Sequence, residues 1–121
     1  MIDLEKEFAI DESKASDGIS IPYKTAKIIV ASASRKDFVN ARDVLFARYP
    51  TKESLDSEEA QVKYEALIAR YLVLGWEGFS LQFSDENCRK MLRVEGFRRW
   101  VMQNATNDSL FRVAQEEIAK N

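Results

Sequence analysis

Gly18-Ile19-Ser20-Ile21-Pro22-Tyr23 and Lys27-Ile28-Ile29-Val30-Ala31 are two apolar runs separated by a short polar break. In the first run, apolar side chains alternate with Ser20 and Pro22, which is the period of a half-buried strand. The second run is β-branched, as strands often are. Because Pro22 cannot donate to a strand ladder, the first run is predicted to be an edge strand. We therefore predict a β-hairpin over residues 18–32, which must pack on helices because an isolated hairpin is marginal in water.

The chain after the hairpin has a helical period. Apolar residues recur every three or four positions from residue 38 onward, with breaks near Pro50, Gly75 and Gly96. Ser34, either Ser54 or Ser57, and Ser84 are candidate N-caps. Gly75 is predicted to end the most apolar helix, and such apolarity is typical of a central buried helix. The sequence thus predicts a mainly α fold of four to five helices with a small N-terminal β-hairpin; the alternative is an α+β fold.

A single domain is predicted for residues 1–121. A chain of 121 residues is near the usual domain size and long enough to bury roughly two-thirds of its unfolded surface. An apolar content of 45% is typical of a globular rather than a disordered protein. Residues 1–17 are polar and are predicted to be flexible, whereas residues 34–121 are predicted to be helical.

The composition leaves little catalytic chemistry. The chain has no histidine, which is the commonest general base and metal ligand. Its single cysteine, Cys88, cannot form an intramolecular disulfide and is a poor nucleophile without a histidine partner. The four glycines form neither a phosphate loop nor a dinucleotide fingerprint. We therefore predict a protein that is not an enzyme and that uses no cofactor or metal.

Charge and hydropathy indicate a soluble cytoplasmic protein. The N-terminus is acidic where a signal peptide would be basic and then apolar, and the longest apolar run, Tyr71 to Leu74, is far too short to span a membrane. The net charge of −2 weighs against a nucleic-acid-binding domain. We expect neither a membrane nor a nucleic acid as partner.

One basic cluster leaves a nucleic-acid alternative open. Its members are Arg89, Lys90, Arg93, Arg98 and Arg99, with Trp100 beside them. Nucleic acids bind to such charges when they share one face with an aromatic platform. The simpler interpretation, favoured by the acidic balance of the whole chain, is a solvated helix face around a buried tryptophan.

The most distinctive stretch of the chain is Gly75-Trp76-Glu77-Gly78-Phe79. We interpret Trp76 as filling the core where the central helix ends, with the two glycines permitting a tight path around it. Trp100 and Phe111 also fit a core role. Aromatic residues are nevertheless enriched at subunit contacts, so the candidate partner-binding residues are Trp76, Phe79, Trp100 and Phe111.

These motifs resemble those of the tail assembly chaperones of long-tailed, non-contractile bacteriophages and prophages. The matching pieces are the strand at 18–23, the strand and helix start at 28–38, Trp-Glu-Gly at 76–78, Phe-Ser-x-Glu-Asn at 83–87 and the helical tail at 105–111. The resemblance extends from about Phe8 to Asn121. It departs from the family at residues 79–82, which are more apolar than the polar, glycine-containing loop of other members.

The resemblance implies a non-catalytic, mainly helical protein that self-associates. Such chaperones bind the tape measure protein and promote polymerisation of the tail tube protein, mainly through a longer form made by ribosomal frameshifting. This chain would be the short form, because Ala119-Lys120-Asn121 can be encoded by a slippery heptamer. It would act in the cytoplasm of the infected or lysogenic bacterial host and be absent from the mature virion. The alternatives are a small phage structural or completion protein, and a nucleic-acid-binding regulatory protein that uses Arg89–Arg99.

Overall fold

The hairpin predicted over residues 18–32 is present in the computed structural model, which describes residues 1–113. Strand β1 (Ile19–Tyr23) pairs antiparallel with strand β2 (Ala26–Val30). Lys24 and Thr25 connect the two strands, and Lys24 takes the positive φ of 54° that glycine or asparagine usually supplies in such turns. Strand β1 lies at the edge of the sheet, as the proline in it predicts.

A third strand, β3 (Val73–Glu77), is absent from the sequence prediction. It pairs antiparallel with β2, with Trp76 opposite Ile28 and Gly75 opposite Ile29. The prediction of helix up to Gly75, and of helical structure throughout 34–121, is therefore wrong at this strand. The physical reason is that β2 would otherwise leave the peptide groups of its second edge unpaired. The three-stranded antiparallel sheet fits the α+β fold that the sequence gives as the alternative, and the predominance of helices remains compatible with a mainly α fold.

Residues 1–113 contain seven α-helices where the sequence predicts four to five, because three of them have only four to six residues and are too short to show a helical period. They are α1 (Leu4–Phe8), α2 (Glu12–Asp17), α3 (Lys36–Arg48), α4 (Lys52–Leu55), α5 (Glu58–Tyr71), α6 (Asp85–Leu92) and α7 (Glu95–Ala105), and a short 3-10 turn follows at Asp108–Phe111. Two predicted caps are confirmed: Ser57 accepts a hydrogen bond from the Ala60 N–H at 3.2 Å, and Ser84 from the Asn87 N–H at 3.0 Å. The cap predicted at Ser34 is wrong, because α3 begins after Arg35 and has no side-chain cap. The helix predicted beyond Val113 lies outside the described residues.

Residues 1–17 form two short helices where the sequence predicts a flexible segment. Helix α2 is anchored by Ala15, whose side chain is buried and whose carbonyl accepts the Ser32 N–H at 2.9 Å. Just before it, Ile10 forms a β-bridge with Arg112. Backbone hydrogen bonds and this one small side chain thus hold α2 against the rest of the fold. The flexibility of residues 1–17 stays a prediction. Helix α1, in contrast, buries none of its residues.

The core lies between one face of the sheet and helices α3, α5, α6 and α7. Its fully buried members include Val30 of β2, Phe38 of α3, Ile68 of α5, Leu92 of α6 and Val101 of α7. Helix α5 packs against α3, α6 and β3, so the apolar pattern of the sequence correctly indicates a central helix. Within residues 1–113, no helix combines the length and apolarity that crossing a membrane would need.

Candidate partner-binding site

An aromatic cluster forms where the ends of β1 and β3 meet helices α6 and α7. The Trp76 ring centroid lies 6.2 Å from that of Phe79, 5.0 Å from Phe83 and 6.0 Å from Phe97, each edge-on. Tyr23 lies 6.3 Å from Phe79 and 5.8 Å from Trp100. These separations are the ones at which aromatic pairs attract each other. The aromatic cluster thus comprises Tyr23, Trp76, Phe79, Phe83, Phe97 and Trp100.

Gly78 positions the aromatic cluster by turning the chain sharply after β3. Its φ is +89°, and a Cβ added there would lie 2.8 Å from the Cα of Ala26 and 2.9 Å from its Cβ. Only glycine fits this close approach without strain. The turn carries Phe79 over the start of β2, beside Tyr23 at the end of β1.

The loop after Gly78 is held by two side-chain hydrogen bonds. The Trp76 Nε1 donates to the Leu81 carbonyl at 2.8 Å, and the Asn87 Nδ2 donates to the Gln82 carbonyl at 2.9 Å. Trp76 therefore belongs to a strand and fixes a loop, rather than filling the core at a helix end as the sequence suggests. Its ring is half-buried and packs against the core.

Two apolar depressions open on this surface. One, of about 270 Å³, is lined by Trp76, Phe79, Ser80, Leu81, Met91 and Phe97. The other, of about 340 Å³, is lined by Tyr23, Ile28, Phe79, Gly96, Phe97 and Trp100. Because Phe79 and Phe97 line both, the depressions are adjacent parts of one surface. We call the two together the aromatic groove.

The structure brings three of the four predicted partner-binding residues into the aromatic groove. Phe79 is 38% exposed, and Trp76 and Trp100 are half-buried beside it. Phe111 is not there: its side chain is fully buried and its carbonyl accepts the Asp11 N–H at 2.8 Å. Its position is therefore the core one that the sequence also allows, where no partner can reach the ring.

Sequence reasoning missed most of the groove, including Tyr23, Met91 and Phe97. Tyr23, Met91 and Phe97 come from β1, α6 and α7, and only the tertiary fold brings them together. A signal exists for Phe97, which lies three residues before Trp100 and therefore shares its helix face. Gly96 has no such signal in the sequence, but in the structure a Cβ added at that position would find no atom within 4 Å. Its surroundings are open groove.

The basic cluster is largely neutralised by carboxylates of the same chain. Arg89 pairs with Asp85 at 2.9 Å and Arg99 with Glu95 at 2.6 Å, each one helical turn away. The remaining two arginines, Arg93 and Arg98, converge on one carboxylate, Glu65 of α5. Lys90 is the one member that forms no ion pair within residues 1–113.

Glu65 is a buried carboxylate, only 3% exposed. Arg93 approaches it at 3.2 Å and Arg98 at 3.4 Å. Arg93 also pairs with the exposed Glu58 at 2.7 Å, and Arg98 donates to the Leu92 carbonyl at 2.8 Å. These bonds tie α5 to the junction of α6 and α7, so the two arginines have a structural role.

Cys88 provides no reactive group. Its side chain is fully buried in the core, and this burial raises the pKa of the thiol to about 12. A protonated, inaccessible thiol neither attacks a substrate nor binds a metal. Within residues 1–113, no three histidine, cysteine or acidic side chains are grouped as a metal site would require.

The chain matches no known family model, no curated protein and no solved structure.

Proposed function

We propose that this protein is a tail assembly chaperone of a long-tailed bacteriophage or prophage and that it binds the tape measure protein in the aromatic groove. The motifs at 76–78 and 83–87 support the assignment to this family. The observation that carries the binding mode is the partly exposed ring of Phe79 between two apolar depressions. Contiguous exposed apolar surface of this kind marks an interaction site in many proteins.

The client that suits this groove is an amphipathic helix. A long helical protein that awaits its tube exposes apolar stripes, which promote aggregation until they are covered. Apolar side chains one turn apart on such a helix are about 5–6 Å from each other. Two adjacent depressions with a shared wall can receive two of them, as in other helix-in-groove complexes.

Each contact of this kind is expected to be weak. Burying one leucine-sized side chain contributes about 1.5–3 kcal/mol, whereas association costs at least ~4 kcal/mol in lost freedom of motion. A client with many repeated stripes would overcome this by binding many copies at once. Self-association of the chaperone along the client would add to the same effect.

The other steps that we propose are those that the resemblance to the tail assembly chaperones implies. The tail tube protein would be the second partner, engaged mainly by a longer frameshifted form. The chaperone would act in the cytoplasm of the bacterial host, without catalysis, and would leave before the virion is complete. Detection of the protein in purified particles would instead favour a structural or completion protein.

The ion pairs of the basic cluster argue against the nucleic-acid alternative. Four of its five cations already have carboxylate partners, so few remain to replace counterions on a phosphate backbone. A nucleic-acid-binding regulator would bind DNA or RNA with an affinity that falls steeply as salt is raised. We expect no such binding.

The test is co-purification of the tagged chain with the tape measure protein from the same phage genome. Phe79→Ser removes the exposed ring shared by both depressions and is expected to reduce recovery of the tape measure protein at least tenfold. Val44→Ser is the matched control, because Val44 is an exposed valine of α3, 61% exposed, outside the groove. Equal recovery with Phe79→Ser and wild type would refute the proposed binding mode.

A further inference from the structure

One part of the aromatic groove carries hydrogen-bond donors that have no partner in the protein. They border the depression of about 340 Å³ that is lined by Tyr23, Ile28, Phe79, Gly96, Phe97 and Trp100, which we call the Trp100 depression. Within residues 1–113, neither the Trp100 indole N–H nor the Tyr23 hydroxyl forms a hydrogen bond. The Trp76 indole, in contrast, donates to the Leu81 carbonyl at 2.8 Å. The Trp100 depression therefore keeps two donors for water or for a ligand.

Both donors can be reached from solvent. The Trp100 ring is half-buried, but its nitrogen is not among the side-chain atoms that are buried without a hydrogen-bond partner. Tyr23 is 42% exposed, and its ring meets that of Trp100 edge-on with the centroids 5.8 Å apart. Tyrosine and tryptophan with an apolar body and a free polar end are enriched at interfaces, where the polar end finds its partner.

A hydrogen-bond acceptor complements these donors. An indole N–H can only donate, and no acidic or amide side chain lines the Trp100 depression. Lys24 adds a positive charge, because its Nζ lies 5.9 Å from the Tyr23 ring centroid and forms no ion pair within residues 1–113. A carboxylate accepts hydrogen bonds with both oxygens, and such charge-assisted bonds are stronger than neutral ones.

The acidic residues next to the depression along the chain are already paired. Glu95 precedes Gly96 in α7, but it pairs with Arg99 at 2.6 Å and lines a different cavity together with it. Glu77, at the end of β3, pairs with Lys27 at 2.6 Å. The charges of both acids are thus balanced by cations of the same chain, so they offer little repulsion to an incoming carboxylate.

We propose that the Trp100 depression is a carboxylate-recognition site and that its occupant is an acidic side chain at the edge of the client's apolar stripe. The methylene groups of a glutamate would pack on the rings while its carboxylate meets the donors. The adjacent depression beside Met91 would hold an apolar residue one helical turn away. The identity of the occupant rests on the proposed function, whereas the preference for a carboxylate does not.

Titration with 3-phenylpropionate tests the carboxylate preference without any client, with 3-phenylpropanamide as the uncharged control. NMR correlation spectra of the full chain contain two indole N–H signals, those of Trp76 and Trp100. The Trp100 signal should shift in a saturable way with phenylpropionate, whereas the Trp76 N–H, already bonded to Leu81, should shift less. Phenylpropanamide should bind about fivefold more weakly, because it lacks the charge-assisted bonds.

Three substitutions that remove a polar group from this surface show whether the preference has the proposed cause. Trp100→Phe and Tyr23→Phe each remove a donor and keep a ring, and Lys24→Met removes the charge. Each should reduce the preference for phenylpropionate, followed through the backbone amide of Phe97. Lys52→Met is the matched control and should keep the preference, because Lys52 is an exposed lysine of α4 outside the groove.

Three results would overturn the carboxylate site. They are a Trp100 signal that does not move, equal affinities of the wild type for the two probes, and a preference that survives all three substitutions. Each would show that the Trp100 depression is a purely apolar surface or no binding site.

Synthetic peptides that cover the helices of the tape measure protein test the occupant. Replacing the acidic residue beside the apolar stripe of a binding peptide by its amide should weaken binding to the wild type about fivefold, and should change binding to Trp100→Phe less. Peptides that bind equally well with either residue would refute the occupant and leave the proposed function standing. If no peptide binds while phenylpropionate does, the proposed function and the occupant both fail and the carboxylate site stands.

Discussion

The indole Nε1 of Trp76 donates a hydrogen bond of 2.8 Å to the carbonyl oxygen of Leu81. This bond joins strand β3 to the loop that follows it, and the loop carries Phe79 into the aromatic groove. The strand position of Trp76 depends in turn on its pairing with Ile28 of β2. The surface that we assign to partner binding is thus supported by the sheet.

Replacing Trp76 by phenylalanine should loosen the loop while leaving a ring in the cluster. The Leu81 carbonyl would lose its donor, which should cost about 1 kcal/mol of unfolding free energy. Urea denaturation measures this loss, and hydrogen exchange should show faster exchange of the amides of residues 79–83. Unchanged exchange in that loop would contradict the positioning role given to Trp76.

Alanine at Gly78 should destabilise the protein, whereas alanine at Gly96 should stabilise it. A Cβ at Gly78 meets Ala26 at 2.8 Å and forces a positive φ on an L residue, which costs about 1–3 kcal/mol. Gly96 lies in helix α7 with open space around it, so alanine there should add about 0.5–1 kcal/mol. Urea denaturation of the two variants side by side measures both changes. Changes of the same sign in the free energy of unfolding of the two variants would show that the backbone geometry differs from that described.

Removing both arginines that face Glu65 should lower the free energy of unfolding strongly. The double variant Arg93→Met/Arg98→Met would leave a buried carboxylate unpaired, at a cost of about 3–5 kcal/mol. Glu58→Gln is the matched control, because it removes only the exposed partner of Arg93 and should cost less than about 1 kcal/mol. The measurement is urea denaturation at pH 7.

Cys88 should react with thiol reagents only after unfolding. Burial raises the pKa of its thiol from the ordinary 9.0 to about 12, so the folded thiol stays protonated at pH 9. The folded pKa lies above the unfolded one, so the corresponding stability is complete below pH 9 and declines as pH rises toward 12. A colorimetric thiol assay with and without urea at pH 8 measures the accessibility. Rapid labelling of the native protein would contradict the described burial.

The sequence predicts those parts of the fold that depend on local signals. The edge strand with Pro22, the caps at Ser57 and Ser84, and the central helix all have such signals, and each is present. Strand β3 was not predictable in the same way, because the apolar residues from Val73 to Trp76 satisfy either a helical or a strand period. The unpaired edge of β2 determines the outcome, and that is a tertiary effect.

The candidate site was predictable to a similar extent. Trp76 and Phe79 stand out because large aromatic residues beside glycines are unusual, and Trp100 stands out beside the basic cluster. The structure places all three on one surface. Tyr23 has no local signal linking it to this surface, since β1 and α7 meet only in the folded chain. Phe111 has the same residue type as Phe79 but fills the core, because burial depends on the surroundings and not on the residue alone.

Site-specific photo-crosslinking tests the central claim most directly. A benzophenone amino acid replaces Phe79 in the full chain, which is then expressed together with the tape measure protein, and the crosslinked products are identified by mass spectrometry. The account predicts crosslinks from position 79 to apolar stripes of tape measure helices, and none from the same label at Val44. Absence of tape measure crosslinks at position 79, or equal crosslinking at both positions, would contradict it.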